Sequence, residues 1–149
     1  TVGILDDRAL PIIEVRPAME FFNYDAKYKD NRTEYLIIEK TADENDNESG
    51  NSHLKTGFLP SSLYAEAQEL ALHAHRVLGC RGFSRVDMLL DGMNALYLLE
   101  VNTIPGFTEK SLLPKAAKAA GISFSSLCEK IVDLAFQSTL VSVNETIQN

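Results

Sequence analysis

The chain has 149 residues, of which 45% are hydrophobic and 23% are charged, and its formal net charge is −7. This length and composition are typical of a single globular domain. The acidic balance argues against a general nucleic-acid-binding protein, because such proteins usually carry a basic face. No apolar run approaches the ~20 residues that a membrane span needs, and we find no signal-peptide pattern.

The cysteines and histidines do not predict a metal site. Cys80 and Cys128 lie far apart without metal-ligand spacing, which predicts two reduced, buried thiols in a cytoplasmic protein. His73 and His75 are predicted to be partly exposed on a helix and, with His53, make no plausible metal set. The chain begins inside an apolar run, so we expect a fragment of a longer protein.

The first third of the chain predicts a hairpin followed by a long loop. Residues 1–5 and 9–15 are apolar runs around a polar turn, as in a β-hairpin. Residues 21–32 mix aromatic and charged side chains without a regular period. Such loops are often functional, although the alternative is a surface loop that covers nearby apolar surface. Residues 35–38 predict a short strand, and residues 41–57 an acidic, solvated insert.

A helix and a second hairpin come next. A helix opens at residues 60–62 and closes at Gly79, with one apolar stripe at helical spacing. Two strands, residues 83–90 and 95–102, then flank a four-residue Asp-Gly turn. If Leu90 pairs with Ala95, Arg85 faces Glu100 and Asp87 faces Leu98.

This register predicts a polar and an apolar side of the hairpin. The polar side carries Arg85, Asp87, Glu100 and Asn102. The apolar side carries Val86, Met88, Leu90, Ala95, Tyr97, Leu99 and Val101. A one-residue slip would break this arrangement, because the side-chain period of a strand is two.

The polar side suggests a cation site. Two close carboxylates repel one another, and either protonation or a bound cation relieves the repulsion. Oxygen ligands from Asp, Glu and Asn suit Mg²⁺ that bridges phosphate groups. Arg85 could neutralise the carboxylates or hold a transferring phosphoryl group. The alternative is a cross-strand salt bridge between Arg85 and Glu100, with Asp87 exposed.

The last part of the chain predicts a turn and two helices. Pro105-Gly106 turns the chain after the second strand. A short helix follows over residues 114–120, ended by Gly121, and Ser123 is predicted to cap a second helix. Residues 137–149 lose apolar periodicity and predict a frayed tail.

Two stretches carry a longer pattern: residues 98–108 read LLEVNTIPGFT, and residues 111–124 read SLLPKAAKAAGISF. Together they resemble the carboxy-terminal signature of D-alanine–D-alanine ligases, which belong to the ATP-grasp superfamily. The resemblance runs from Thr1 to about Phe136. It implies an α+β fold, the carboxy-terminal ATP-grasp lobe, with an antiparallel sheet flanked by helices. Within residues 1–136 it implies an active-site lid over residues 17–40. The polar insert at 41–57 departs from the family, whose connection there is usually short, and residues 137–149 are the predicted tail.

The resemblance also implies an activity. Such ligases join two D-alanines with ATP and two Mg²⁺ (or Mn²⁺) ions through an acyl phosphate, for peptidoglycan synthesis in the cytoplasm. The full-length protein is expected to be a homodimer, with no nucleic-acid or membrane partner. Residues 1–149 alone are expected to be inactive, because the family's other ATP-binding groups precede this region.

Site residues follow from the same resemblance. Asp87, Glu100 and Asn102 match the metal ligands, and Arg85 matches the arginine that steadies the transferring phosphoryl group. Gly106 matches an oxyanion-binding backbone N–H, and Ser111 with the N–H of Leu112 matches the group that holds the second alanine's carboxylate. Lys27 and Tyr28 match lid residues in their D-alanine-specific form. The alternatives are another ATP-grasp carboxylate–amine ligase, or a non-catalytic binding domain derived from such a ligase.

Overall fold

The structure, a computed structural model, describes residues 1–16, 33–41 and 56–147. Within these ranges the chain forms six strands and three helices. The strands are β1 (Val2–Leu5), β2 (Arg8–Arg16), β3 (Glu34–Thr41), β4 (Thr56–Pro60), β5 (Phe83–Leu90) and β6 (Leu96–Asn102). The helices are α1 (Ser61–Val77), α2 (Leu112–Ala119) and α3 (Phe124–Ile147).

The strands form one six-stranded sheet in the order β4-β3-β2-β1-β5-β6, with β1 between β2 and β5. The predicted α+β class, with a sheet flanked by helices, is confirmed, but the sheet is mixed where an antiparallel one was predicted. Among the described strands, β3 and β4 are the one parallel pair. A parallel pair needs a crossover connection, and residues 42–55, which join these strands, lie outside the described ranges.

The hairpin predicted at the start of the chain is confirmed. Leu5 of β1 pairs with Arg8 of β2, so Asp6 and Asp7 form a two-residue turn. Both have positive φ angles, 53° and 56°. A two-residue turn with positive φ at both positions is of type I′, whose twist matches that of the paired strands.

The sheet separates two hydrophobic layers. One, beneath α1, consists of Val2, Ile4, Ile12, Ile38, Tyr64, Ala67, Ala71 and Val86. The other, beneath α2 and α3, consists of Leu5, Leu10, Ile13, Leu113, Ala116, Ala117 and Leu127. Because side chains alternate along a strand, Arg85 and Asp87 point away from the α1 layer that buries Val86. They therefore lie on the same face of the sheet as α2.

A glycine in the central strand brings α2 close to the sheet. Gly3 pairs with Arg85 across β1 and β5. A Cβ atom at Gly3 would lie 2.8 Å from Leu113 Cδ1 and 3.1 Å from Leu10 Cδ1, closer than the favourable separation of nonbonded carbons. Glycine therefore lets the first turn of α2 pack on the sheet beside Arg85.

Two local predictions were wrong. α3 continues to Ile147 where a frayed tail was predicted from Gln137, because no Gly or Pro interrupts residues 124–147 and a loss of apolar periodicity does not by itself end a helix. His75 is only 3% exposed, whereas partial exposure was predicted. Its Nδ1 lies 2.7 Å from Ser84 Oγ, and this hydrogen bond allows the ring to be buried.

The lid and insert regions are described only at their ends. β3 includes the last part of the predicted lid region and residue 41 of the predicted insert. β4 includes residues 56–57, the end of the insert. The rest of both segments lies outside the described residues.

Two further findings concern the cysteines and the helices. Cys80 and Cys128 are free, and each is half-buried where full burial was predicted. Among the described residues, none of the helices combines the length and apolar composition that crossing a membrane requires.

Candidate functional site

The candidate site lies on the β5–β6 hairpin, and its observed register differs from the predicted one. Asp87 pairs with Glu100, and Arg85 pairs with Asn102. The predicted pairs, Arg85 with Glu100 and Asp87 with Leu98, were therefore wrong. The four polar residues nevertheless share one face, because the pairing at this end of the hairpin is displaced by two positions.

The displacement has two separate sources. In the turn, Asp91 Oδ1 accepts the N–H groups of Met93 and Ala95 at 2.8 and 2.9 Å, and Asn94 adopts a φ of 64°. This lengthens the loop by one residue, so Leu90 pairs with Leu96. A bulge then inserts Leu99, since Met88 pairs with Leu98 while Asp87 pairs with Glu100.

The predicted apolar side was wrong for part of β6. Between the turn and the bulge, Leu96 packs against the α1 layer, where Ala95 and Tyr97 had been expected. Tyr97 and Leu99 are 51% and 63% exposed. Val101, beyond the bulge, returns to the α1 layer as predicted.

Arg85 and Asp87 form a bidentate ion pair at the centre of the site. Arg85 Nε donates to Asp87 Oδ1 at 2.9 Å, and Arg85 Nη2 donates to Asp87 Oδ2 at 2.7 Å. These side chains are only 12% and 19% exposed. Arg85 Nη2 also lies 3.6 Å from Glu100 Oε1, whose side chain is 52% exposed. The alternative of an Arg85–Glu100 salt bridge with Asp87 exposed was thus wrong about Asp87, which is mostly buried. Arg85 bridges both carboxylates.

The electrostatics keep Asp87 ionised. Burial of the carboxyl group raises its pKa, but the hydrogen bonds from Arg85 and Thr1, with the positive charge of Arg85, outweigh that effect. The net result is a pKa below the ordinary 3.8. Directly opposed like charges destabilise a strand pair, so the Asp87–Glu100 pair needs a positive charge close by.

The turn after β6 continues the polar face. Asn102 Oδ1 accepts the N–H of Ile104 at 3.1 Å, which starts the turn towards Gly106. The Phe107 ring lies 6.4 Å from Phe83 and 5.4 Å from Phe124, centroid to centroid. Phe83 is two residues before Arg85 on β5, so these aromatic contacts hold the turn over the face that carries Arg85.

Gly106 and Ser111 come together at the start of α2. Ser111 Oγ accepts the N–H of Thr108 at 3.0 Å and lies 3.0 Å from Thr108 Oγ1. A Cβ atom at Gly106 would lie 3.2 Å from Ser111 Oγ. Leu112 begins α2, and the first N–H groups of a helix have no intrahelical acceptor. Backbone N–H groups and a hydroxyl are therefore gathered in one turn.

The predicted residues are brought together in two groups on one face. Arg85, Asp87, Glu100 and Asn102 form the first group, and Gly106, Ser111 and Leu112 form the second. Lys27 and Tyr28 lie outside the described residues.

Sequence reasoning missed Thr1. Its Oγ1 donates to Asp87 Oδ1 at 2.6 Å. The contact depends on the pairing of β1 with β5, which joins distant parts of the chain. No local pattern of spacing predicts such a pairing.

The donor set fits a hard divalent cation. Asp87, Glu100 and Asn102 supply carboxylate and amide oxygens, the ligand type that Mg²⁺ prefers. In the part of the chain that the structure describes, no group of three or more His, Cys, Asp or Glu could hold a metal ion. The predicted ligand set therefore depends on the amide oxygen of Asn102 as its third side-chain ligand.

Comparisons with known proteins identify similar sequences along most of the chain. The sequence model of the family described as "D-ala D-ala ligase C-terminus" matches residues 43–133. The D-alanine–D-alanine ligase of Geotalea uraniireducens is 41% identical over 134 residues, which cover 90% of this chain and 37% of that protein. D-alanine–D-alanine ligase B of Chromobacterium violaceum is 41% identical over 133 residues, which cover 89% of this chain and 38% of that protein.

A solved structure gives the same result for the fold. The D-alanine–D-alanine ligase from Bacillus anthracis complexed with ATP matches with a TM-score of 0.68 at 33% identity, covering 92% of this chain and 37% of that one. The chain thus spans less than two fifths of the length of these relatives. With its mixed sheet and flanking helices in the arrangement of the ATP-grasp carboxy-terminal region, the chain belongs to the D-alanine–D-alanine ligase carboxy-terminal family.

Proposed function

We propose that the protein to which this chain belongs is an ATP-dependent D-alanine–D-alanine ligase, and that this chain supplies its phosphate- and acceptor-binding lobe. The observation that carries the proposal is the pairing of Asp87 with Glu100, bridged by Arg85 at 2.7 and 3.6 Å. A domain with only a structural role has little reason to hold two opposed carboxylates on one face.

The reaction explains why such a face is needed. A carboxylate is a poor electrophile, so ATP first phosphorylates the carboxylate of one D-alanine. The amine of a second D-alanine attacks the acyl phosphate, and the tetrahedral intermediate collapses to the dipeptide and inorganic phosphate. Phosphoryl transfer depends mostly on positioning and on electrostatic stabilisation of the charged oxygens.

Arg85 and the three oxygen ligands would provide that stabilisation. Asp87, Glu100 and Asn102 would hold the two Mg²⁺ or Mn²⁺ ions. The bound ions would neutralise charge on the phosphate oxygens. Arg85, which donates two hydrogen bonds to Asp87, would turn its guanidinium to the phosphoryl group when cations occupy that carboxylate.

The second group of residues would bind the acceptor. Ser111 Oγ and the N–H of Leu112 would hold the carboxylate of the second D-alanine, since backbone N–H groups and hydroxyls donate well to carboxylates. The N–H of Gly106 would donate to the oxyanion of the tetrahedral intermediate. By resemblance, Lys27 and Tyr28 would close over the site and exclude water.

The wider setting belongs to the same proposal. We place the full-length protein in the cytoplasm as a homodimer that makes D-alanyl-D-alanine for peptidoglycan. Residues 1–149 alone are expected to show no turnover, since the relatives are more than twice as long as their matched region.

The test is the release of phosphate from ATP and Mg²⁺ by the full-length protein, with and without D-alanine. We expect D-alanine-dependent release, and a loss of about 10²-fold or more in Glu100→Gln, the typical cost of removing one electrostatic stabiliser. Glu69→Gln, at an exposed position on α1, is the matched control and should behave like the wild type. Phosphate release that does not depend on D-alanine would refute D-alanine as the substrate. Phosphate release that is unchanged in Glu100→Gln would refute the role of Glu100.

A further inference from the structure

We propose that Thr1 is a positioning residue that holds the Asp87 carboxylate in the orientation needed for the metal ions. The inference rests on the proposed function. Val2 pairs with Val86 and Gly3 with Arg85, so Thr1 lies level with Asp87 on the neighbouring strand. Its Oγ1 approaches Asp87 Oδ1 to 2.6 Å.

The hydroxyl proton of Thr1 is directed to the carboxylate. Oγ1 also lies 3.2 Å from the carbonyl oxygen of Val86, but a hydroxyl has one proton and can donate it fully to one acceptor. The shorter distance of 2.6 Å to Asp87 is in the range of charge-assisted O–H···O⁻ bonds. The stronger interaction is therefore the one with Asp87.

The backbone of Thr1 is itself fixed. Its nitrogen donates to the carbonyl of Ile13 at 2.8 Å, and the N–H of Ile13 donates to the carbonyl of Thr1 at 3.0 Å. A β-branched side chain on such a backbone has few rotamers. The hydroxyl is thus presented to Asp87 by a rigid part of the central sheet.

Thr1 differs from Arg85 in how it would respond to a cation. Arg85 occupies both oxygens of Asp87, and its positive charge would be repelled by a divalent ion on the same carboxylate. When Arg85 turns towards a phosphoryl group, the neutral hydroxyl of Thr1 can keep its bond. Thr1 is then the donor that preserves the rotamer of Asp87 in the loaded site, which is the usual role of groups that orient metal ligands.

The test measures Mn²⁺ affinity by electron paramagnetic resonance in the full-length protein, with a non-hydrolysable ATP analogue. Thr1→Val keeps the shape and removes the hydroxyl. We expect it to weaken Mn²⁺ binding by roughly 10–100-fold, as is typical when a group that orients a metal ligand is lost. Thr1→Ser keeps the hydroxyl and should restore most of the affinity. Thr103→Val, at an exposed position, controls for the loss of a hydroxyl elsewhere on the hairpin.

Three outcomes overturn the inference. They are wild-type Mn²⁺ affinity in Thr1→Val, equal losses of Mn²⁺ affinity in Thr1→Val and Thr1→Ser, and Mn²⁺ binding by the wild type that an Asp87→Asn substitution does not weaken. The thermal midpoint of each variant shows whether an affinity loss reflects misfolding. The two proposals fail separately. Mn²⁺ binding that depends on Thr1, without D-alanine-dependent phosphate release, refutes the proposed reaction alone. D-alanine-dependent release with unchanged Mn²⁺ affinity in Thr1→Val refutes the role of Thr1 alone.

Discussion

Gly3 offers a direct test of how tightly α2 packs on the sheet beside the site. In Gly3→Ala the new methyl group would lie 2.8 Å from Leu113 Cδ1 and 3.1 Å from Leu10 Cδ1. Leu113 is 1% exposed and Leu10 is 5% exposed, so neither side chain can move freely into solvent. Overpacking of this kind typically costs about 1–3 kcal/mol. Each kcal/mol lowers the thermal midpoint by roughly 2–4 °C in a protein of 150–250 residues and by less in a longer one, so we expect a drop of a few degrees in the full-length protein.

The same substitution should reach the site. Leu113 is the second residue of α2, two positions after Ser111, so a displaced Leu113 moves the proposed acceptor pocket. A misplacement of 1 Å can cost about 10²-fold in rate, and Leu113 will absorb part of the strain by changing rotamer. We therefore expect kcat/KM for D-alanine to fall by about 10-fold, which is less than the about 10²-fold loss for a full displacement of 1 Å.

Thermal melts and initial rates on the full-length protein measure both effects. Gly92→Ala is the matched control, because no heavy atom lies within 4 Å of a Cβ at that position, and its midpoint should stay near the wild type. In Gly3→Ala/Leu113→Val the contacting methyl group is removed, so the combined loss should be smaller than the sum of the single losses. A midpoint for Gly3→Ala equal to that of Gly92→Ala, or strictly additive losses, would refute the packing argument.

Two further predictions concern protonation and the acceptor pocket. Burial lowers the pKa of His75 below its ordinary 6.5. Below pH 6.5 the unfolded chain therefore binds more protons than the folded chain, and the free energy of unfolding decreases as the pH is lowered. The midpoint should drop less between pH 7 and 5 in His75→Gln than in the wild type, while the exposed control His73→Gln keeps the full drop; equal slopes in all three would contradict this reading. Gly106→Ala places a Cβ 3.2 Å from Ser111 Oγ and should raise the KM for D-alanine at an unchanged thermal midpoint; an unchanged KM would show that Ser111 does not hold the acceptor.

The elements that sequence predicts correctly are those with local causes. The turn at Asp6 and Asp7 and the end of α1 at Gly79 depend on residues whose backbones adopt positive φ. The stripe of α1 depends on a period of three to four residues. The contact between Thr1 and Asp87 spans 86 positions and depends on which strands become neighbours. The order of strands in a sheet is a property of the whole chain, so this part of the site could not be predicted.

The hairpin shows why a wrong register can still predict the right face. The turn adds one residue and the bulge at Leu99 adds another, and a displacement of two keeps side chains on the same side of a strand. With the longer turn and no bulge, Glu100 would pair with Val86, which is 0% exposed, and its carboxylate would point into the α1 layer. The bulge turns Glu100 to the face of Arg85 and places it opposite Asp87. Bulges near functional sites often re-aim side chains in this way, and here the bulge at Leu99 creates the pair of carboxylates on which the proposed metal site depends.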